Sequence, residues 1–288
     1  MKKIVGFVRL MRPLNCSMMG FAVIVGATIA NSKALADSWS NLIYGFFTGF
    51  LLTAAAMAVN DYYDREIDAI NEPSRPIPSG AVKPKEALVF SFTLTALGLA
   101  VAALTCINTM SIHCFLTALI FWLISVAYAT AGKRTGLLGN FLVSSCVSAP
   151  FIYGSLTVTS NVELSILIFV SMVFLSNTGR EITKGIVDIE GDRKRNVKTL
   201  AVRYGPRKAA ITAAIFYLTA VALTPMPPIL NLVTFWFIPL VAITDAGLAA
   251  SSIMLLMNYS RENARKVKNH VLIWFLAGLG AFVAGSLR

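Results

Sequence analysis

Two short acidic runs carry the residues best placed to do chemistry. The first reads Asn60-Asp61-Tyr62-Tyr63-Asp64-Arg65-Glu66-Ile67-Asp68, and the second reads Asp188-Ile189-Glu190-Gly191-Asp192. Asn60, Asp64 and Asp68 stand four residues apart, so on a helix their oxygens stack along one face. Asp188 and Asp192 repeat the interval. Like charges at this spacing destabilise a bare helix, and beside a membrane they are costly unless a cation lies between them. Mg²⁺ prefers oxygen ligands, and typically takes one or two carboxylates together with substrate phosphates. Two such pairs facing one another would hold ions around a diphosphate. Asp64, Asp68, Asp188 and Asp192 are the expected metal ligands, with Asn60 as a neutral oxygen ligand or hydrogen-bond partner.

A diphosphate carries more charge than metal ions alone neutralise, and Arg and Lys supply charge-assisted hydrogen bonds to it. Candidates in the flanking segments are Arg65, Arg75, Lys133, Arg134, Arg180, Lys184, Arg193 and Lys194. Asp64 and Asp188 are 124 residues apart, as are Asp68 and Asp192, a register that points to a duplicated half. The plainer alternative, that these are ordinary solvated loop acids, does not explain why the fourfold spacing recurs at equivalent places.

The elements that position these residues are membrane spans. Of the 288 residues, 56% are hydrophobic and 14% charged, against roughly a quarter charged in an average soluble domain. So much apolar surface cannot be hidden inside a water-soluble fold of this size. On a ruler of about 20 apolar residues per span, nine candidates fall near 12–31, 41–61, 86–106, 109–131, 137–158, 163–183, 207–225, 229–257 and 269–287. The expected fold is an all-α, polytopic membrane helical bundle forming one transmembrane domain over 1–288. Residues 1–12 are basic, but the apolar run after them is too long for a cleavable signal and reads as the first span.

Charge orients the spans. Of 25 Lys and Arg residues, 23 fall in the N-terminus and in the segments after spans two, four, six and eight, so these are expected to be cytoplasmic. Both acidic runs lie on that side, which places the active site toward the cytoplasm of a multi-pass cell-membrane protein. The net charge of +11 suits basic loops against anionic membrane lipid. A nucleic-acid partner does not fit, because the basic residues flank spans rather than form a recognition module. Nothing calls for an obligate protein partner. Cys16, Cys106, Cys114 and Cys146 lack metal or redox spacing and read as small core residues; His113 and His270 are isolated. Asp245 lies deep in span eight, where a hydrogen bond to another span is favoured over substrate contact. Gly45 and Gly49 read as helix-packing positions.

Two readings of other classes were weighed. A secondary transporter also has many spans and internal repeats, but its coupling sites lie near the bilayer midplane, a place only Asp245 occupies. A non-catalytic lipid-binding protein has little use for two opposed acidic pairs.

The chain resembles the intramembrane prenyltransferases of the UbiA superfamily. The pattern NxxxDxxxD is matched by Asn60, Asp64 and Asp68, and DxxxD by Asp188 and Asp192. Asn71-Glu72-Pro73-Ser74-Arg75-Pro76-Ile77-Pro78-Ser79-Gly80 is similar to the segment that follows the first signature, Arg12-Pro13-Leu14-Asn15 to the first-helix entry, and Tyr128 with Lys133-Arg134 to a third polar loop. Within the superfamily, the short length, the Arg75–Gly80 segment and Arg180-Glu181-Ile182-Thr183-Lys184 are similar to the archaeal digeranylgeranylglyceryl phosphate synthase branch. Many relatives carry an acid where this chain has Gly185.

The resemblance implies Mg²⁺-dependent transfer of a geranylgeranyl group from geranylgeranyl diphosphate to geranylgeranylglyceryl phosphate, a lipid-phosphate acceptor, in archaeal ether-lipid synthesis. The same chemistry on an aromatic acceptor of quinone, chlorophyll or haem type is the alternative. Arg12, Asn15, Arg65, Asn71, Arg75, Tyr128, Lys133, Arg134, Lys184 and Lys194 are the implied diphosphate and phosphate contacts. Asp61, Asp68 or a diphosphate oxygen would take the acceptor's proton. Tyr128 and Tyr153 are placed near the reaction chamber or in the core.

Overall fold

In the computed structural model, the described residues are 2–194 and 197–287; the side chains of Lys2, Ile67 and Asn71 lie outside the described set. Helices follow one another from end to end, and among the described residues no strand occurs. Nine segments there are long and apolar enough to cross a membrane, the number expected from the sequence.

The chain forms two compact units. The first comprises Met1–Ala27, Ala34–Thr130 and Ala149–Val162, and the second Thr28–Lys33, Ala131–Ser148 and Glu163–Arg288. The first unit holds α1 (Lys2–Met11), most of α2 (Pro13–Asn31), α3 (Trp39–Asn71), α4 (Pro84–Thr109), α5 (His113–Thr130) and the last turns of α6 (Leu137–Val158). The second holds the start of α6, then α7 (Leu164–Val187), α8 (Ile189–Lys194), α9 (Leu200–Tyr204), α10 (Pro206–Leu223), α11 (Met226–Ile229), α12 (Phe237–Met257) and α13 (Arg261–Ser286).

In the first unit, α3 and α4 pack along a seam of small residues, Ala54, Ala55, Ala58 and Ala87, with Leu94 and Cys16 filling it. Small side chains let helices approach closely without a hydrophobic driving force, which is how membrane helices associate. A Cβ on Gly154 would stand 2.0 Å from the Val23 carbonyl oxygen, and one on Gly26 would stand 2.3 Å from that of Phe151. Those two glycines therefore set the α2–α6 contact. Gly45 and Gly49 pack against Val23 and Met19 in the same way. The four cysteines form no disulfide among the described residues, and Cys16 and Cys114 are buried in this core.

In the second unit α7 is the central element. From Ser176 to Val187 most of its side chains are buried, and Ile182, Ile186 and Val187 pack against Ala209, Ala213 and Tyr217 of α10 and Leu255, Val267 and Val271 of α12 and α13. Three of its buried polar residues are paired with neighbouring helices. Asn177 Nδ2 and Thr178 Oγ1 donate to Ser144 Oγ at 3.1 and 2.9 Å, and Thr183 Oγ1 lies 3.0 Å from the Tyr217 hydroxyl.

The first span runs Pro13–Asn31 as expected, and Arg12, whose φ of 54° is left-handed, sets it apart from the short α1. Three other spans have limits that differ clearly from expectation. The second stays helical to Asn71 rather than ending at 61. The eighth begins at Phe237 rather than 229, because Pro227 and Pro228 are confined to the four-residue α11 and Asn231 turns at φ 53°. The ninth begins at Arg261 rather than 269, since Ser260 caps α13 by accepting from Asn263 N–H and a polar first two turns follow.

Candidate active site

Helix α3 has 33 residues, about 50 Å at the usual rise, whereas a bilayer's hydrocarbon core is roughly 30 Å thick. About twenty residues from Trp39 suffice to cross it. The first acidic run therefore lies on the helix itself and not in a loop after the span. The helical register expected for Asn60, Asp64 and Asp68 holds: Asn60 Nδ2 donates to Asp64 Oδ2 at 3.0 Å.

Around this run the first unit gathers its arginines. Asp61 is only 2% exposed. Its Oδ1 accepts from Arg12 Nη2 at 2.6 Å and has Arg75 Nη1 at 3.6 Å. The same Arg75 Nη1 donates to Asp68 Oδ2 at 2.6 Å, and Asp68 is 6% exposed. Arg12, Asp61, Arg75 and Asp68 thus form one connected line of charge. Arg12 reaches it from the left-handed break between α1 and α2. Arg75 reaches it from the turn after α3, where its N–H donates to the Glu72 carbonyl and its carbonyl accepts from Ser79 N–H. Helix α1 braces that turn: Gly6 lies against Ala81 and Val82, Phe7 against Phe90, and Lys3 pairs with Glu86 at 2.9 Å.

Other predicted contacts in this unit fall elsewhere. The Arg65 guanidinium is engaged locally, donating to the Tyr62 carbonyl and to Glu66 and lying 4.6 Å above the Tyr62 ring. Asn15 is exposed in the first turn of α2, and Tyr128 is half-buried near the end of α5. The side chain of Asn71 lies outside the described residues. Tyr153 is a core residue, its hydroxyl 3.0 Å from Thr105 Oγ1 and 3.4 Å from Thr48 Oγ1.

The second unit carries the other pair. Asp188 is not on a continuous helix with Asp192: it ends α7, and Asp192 lies in the six-residue α8. The fourfold spacing is still a helical turn, because Asp192 N–H donates to the Asp188 carbonyl at 2.8 Å. Glu181, Lys184 and Asp188 share one face of α7, and Lys184 Nζ lies 3.3 Å from Glu181, which also faces Arg180 at 3.5 Å. Lys133 and Arg134 sit in a 3₁₀ turn (Gly132–Arg134), and Lys194 and Arg193 are exposed on α8. A Cβ on Gly185 would meet Thr199 at an ordinary 3.6 Å, so packing does not exclude a side chain there.

One contact in this unit was not foreseen. Arg261 Nε donates to the Val187 carbonyl at 3.0 Å, so the start of α13 secures the end of α7 beside Asp188. Its sequence signal was the Ser260 cap, which makes Arg261 the first helical residue rather than one more loop cation. Asp245 Oδ2 accepts from Thr224 Oγ1 at 2.7 Å, the interspan bond expected of it.

The carboxylates fit Mg²⁺ shared with phosphate. Asn60, Asp64 and Asp68 offer hard oxygens on successive turns, while no three of His, Cys, Asp or Glu gather into a cation site among the described residues. An ion held here completes its shell from other oxygens, as Mg²⁺ does with substrate phosphates.

Comparison with known proteins agrees with this chemistry. Residues 19–278 match the model of the UbiA prenyltransferase family. The digeranylgeranylglyceryl phosphate synthase of Methanosarcina mazei is 36% identical over 97% of both chains, and that of Korarchaeum cryptofilum is 36% identical over 100% of this chain and 99% of its own. A solved structure described as digeranylgeranylglyceryl phosphate synthase superposes with a TM-score of 0.86 at 32% identity, covering 99% of each chain. A UbiA homologue from Archaeoglobus fulgidus, bound to GPP and Mg²⁺, shares the fold at a TM-score of 0.68 and 16% identity, over 96% of this chain and 99% of its own.

Proposed function

The chain belongs to the UbiA prenyltransferase family, and on that premise we propose that it moves a geranylgeranyl group from geranylgeranyl diphosphate to geranylgeranylglyceryl phosphate and releases diphosphate. The observation that carries this reading is the end-to-end similarity to digeranylgeranylglyceryl phosphate synthases at 36% identity, with both acidic signatures intact. One transmembrane domain, 1–288, performs the reaction.

Asp64 and Asp68, with Asn60, in the first unit and Asp188 and Asp192 in the second would hold Mg²⁺, which would supply electrostatic and Lewis-acid stabilisation to a diphosphate leaving group. Arg75, Lys133, Arg134, Lys184 and Lys194 neutralise the remaining phosphate charge. The apolar helices hold the isoprenoid tail and keep water from the allylic cation, which water would quench to an alcohol. The acceptor hydroxyl forms the new C–O bond and loses its proton. Asp61, already bonded to Arg12, positions the arginines, leaving Asp68 or a diphosphate oxygen to take that proton. With 23 of 25 basic residues on one side, the N-terminus and the acidic runs face the cytoplasm.

The test uses purified protein, the two labelled lipids and a panel of acceptors. Product forms with Mg²⁺ and fails with excess chelator, and Asp64→Ala and Asp188→Ala each abolish turnover while retaining helical circular dichroism. Full activity in either variant rejects the paired-carboxylate site. Preference for an aromatic acceptor rejects the lipid assignment alone.

A further inference from the structure

The line of charge in the first unit has an asymmetry. Asp61 is served twice, by Arg12 at 2.6 Å and by Arg75 at 3.6 Å, whereas Asp68 takes Arg75 at 2.6 Å. Withdrawing Arg75 would leave Asp61 still bonded to Arg12 but would strip Asp68 of this cation. We infer that Arg75 is the internal counter-ion of Asp68 and yields that carboxylate only to a metal ion arriving with a diphosphate, so that metal and prenyl diphosphate enter together rather than metal first. This rests on the function proposed above, in which Asp68 is a metal ligand.

Three observations support the exchange. Asp68 is nearly covered, and Arg75 occupies its Oδ2 at 2.6 Å. A guanidinium and a divalent ion on one carboxylate repel each other, and Mg²⁺ sheds its water reluctantly. A free ion therefore gains little by displacing the arginine. A diphosphate changes the balance, because its oxygens give the guanidinium a more highly charged, bidentate partner. Arg75 also has solvent on one side. Its backbone is anchored in the turn by hydrogen bonds to Glu72 and from Ser79, while its side chain remains one-third exposed.

The experiment titrates the full chain in detergent with Mn²⁺, followed by electron paramagnetic resonance, with and without inorganic diphosphate. A protein-free control accounts for Mn²⁺–diphosphate formed in solution. In the native protein, diphosphate should tighten Mn²⁺ binding at least about tenfold, roughly the worth of one charge-assisted hydrogen bond. Arg75→Gln should bind Mn²⁺ alone at least about tenfold more tightly than the native protein by the same reasoning. Arg75→Lys, which keeps the charge, should remain weak. Equal Mn²⁺ affinity with and without diphosphate in the native protein overturns the exchange, and this measurement needs no variant to fold. Unchanged Mn²⁺ affinity in Arg75→Gln overturns it too. Asp68→Ala then separates the two claims. If it abolishes Mn²⁺ binding while Arg75→Gln changes nothing, only the exchange fails. If neither variant changes binding, Asp68 is not a metal ligand and that part of the proposed function fails with it.

Discussion

Replacing Asp61 by Asn distinguishes a positioning carboxylate from a proton acceptor, two roles that the acidic run alone leaves open. In the structure Asp61 is buried against Arg12 at 2.6 Å with Arg75 beyond it. Asn keeps the shape but removes the charge. A hydrogen bond to a charged group contributes about 1.5 to 3 kcal/mol. Arg12 is one-third exposed, so water recovers part of the loss, and a cost of about 1 to 2 kcal/mol is the consistent value. The melting temperature in detergent should fall by a few degrees, and turnover by about tenfold as Arg12 and Arg75 lose their anchor. The decisive assay is a double-mutant cycle with Arg12→Met, reading kcat/KM for both substrates. If Asp61 acts through Arg12, the second substitution adds little to the first, and the coupling should reach about 1 kcal/mol or more. A general base behaves otherwise: its loss costs about 10² to 10⁴ in rate, whether or not Arg12 is present. Effects that add to within about 0.5 kcal/mol would refute the positioning role.

Other outcomes follow from the packing. Gly154→Ala places a methyl 2.0 Å from the Val23 carbonyl oxygen and should destabilise by at least about 1 to 3 kcal/mol in a detergent melt, whereas Gly280→Ala meets nothing within 4 Å and should be neutral or stabilising by up to about 1 kcal/mol. Tyr217→Phe removes the hydroxyl partner of Thr183, which keeps its 2.8 Å bond to the Gly179 carbonyl, so the loss should be about 1 kcal/mol. Arg261→Met unties the α7 terminus beside Asp188 and should lower turnover by about tenfold, with substrate binding changed less; unaltered turnover would show that α7 ends correctly without it.

Hydropathy located the slab and not the helices. It found nine crossings because each apolar run is long enough, but α3 and α13 are polar outside the slab, at Asn60–Asn71 and Arg261–His270, and stay helical there. Caps and i→i+4 bonds decide those ends, and an apolar ruler does not see them. The same limit concealed α1, a helix that the Arg12 turn sets apart from the first span. At the candidate site, residue types and intervals were legible, since a fourfold spacing has one meaning on a helix. The break at Asp188 was not legible, nor were the partners. Arg12 meets Asp61 across 49 residues and Arg261 meets Val187 across 74, and topology charge makes every loop Arg look alike from the sequence.

Positioning explains why the first unit carries arginines beside its acidic run. Asp61, Asp64 and Asp68 put three carboxylates within two turns of α3, and like charges so close oppose the helix that carries them. Asn60 bonds Asp64, Arg12 bonds Asp61 and Arg75 bonds Asp68. The helix can therefore form and hold its register before any metal is bound, at the level where lipid gives way to water. Two of these contacts differ in kind from the third. Arg12 serves Asp61, to which the proposed function gives a positioning role, so it belongs to the scaffold. Arg75 serves Asp68, a metal ligand in that proposal, and so is the one to be exchanged. A scaffold arginine and an exchangeable one on the same helix give opposite responses to free metal: removing Arg12 should leave Mn²⁺ affinity unchanged or weaker, and removing Arg75 should raise it.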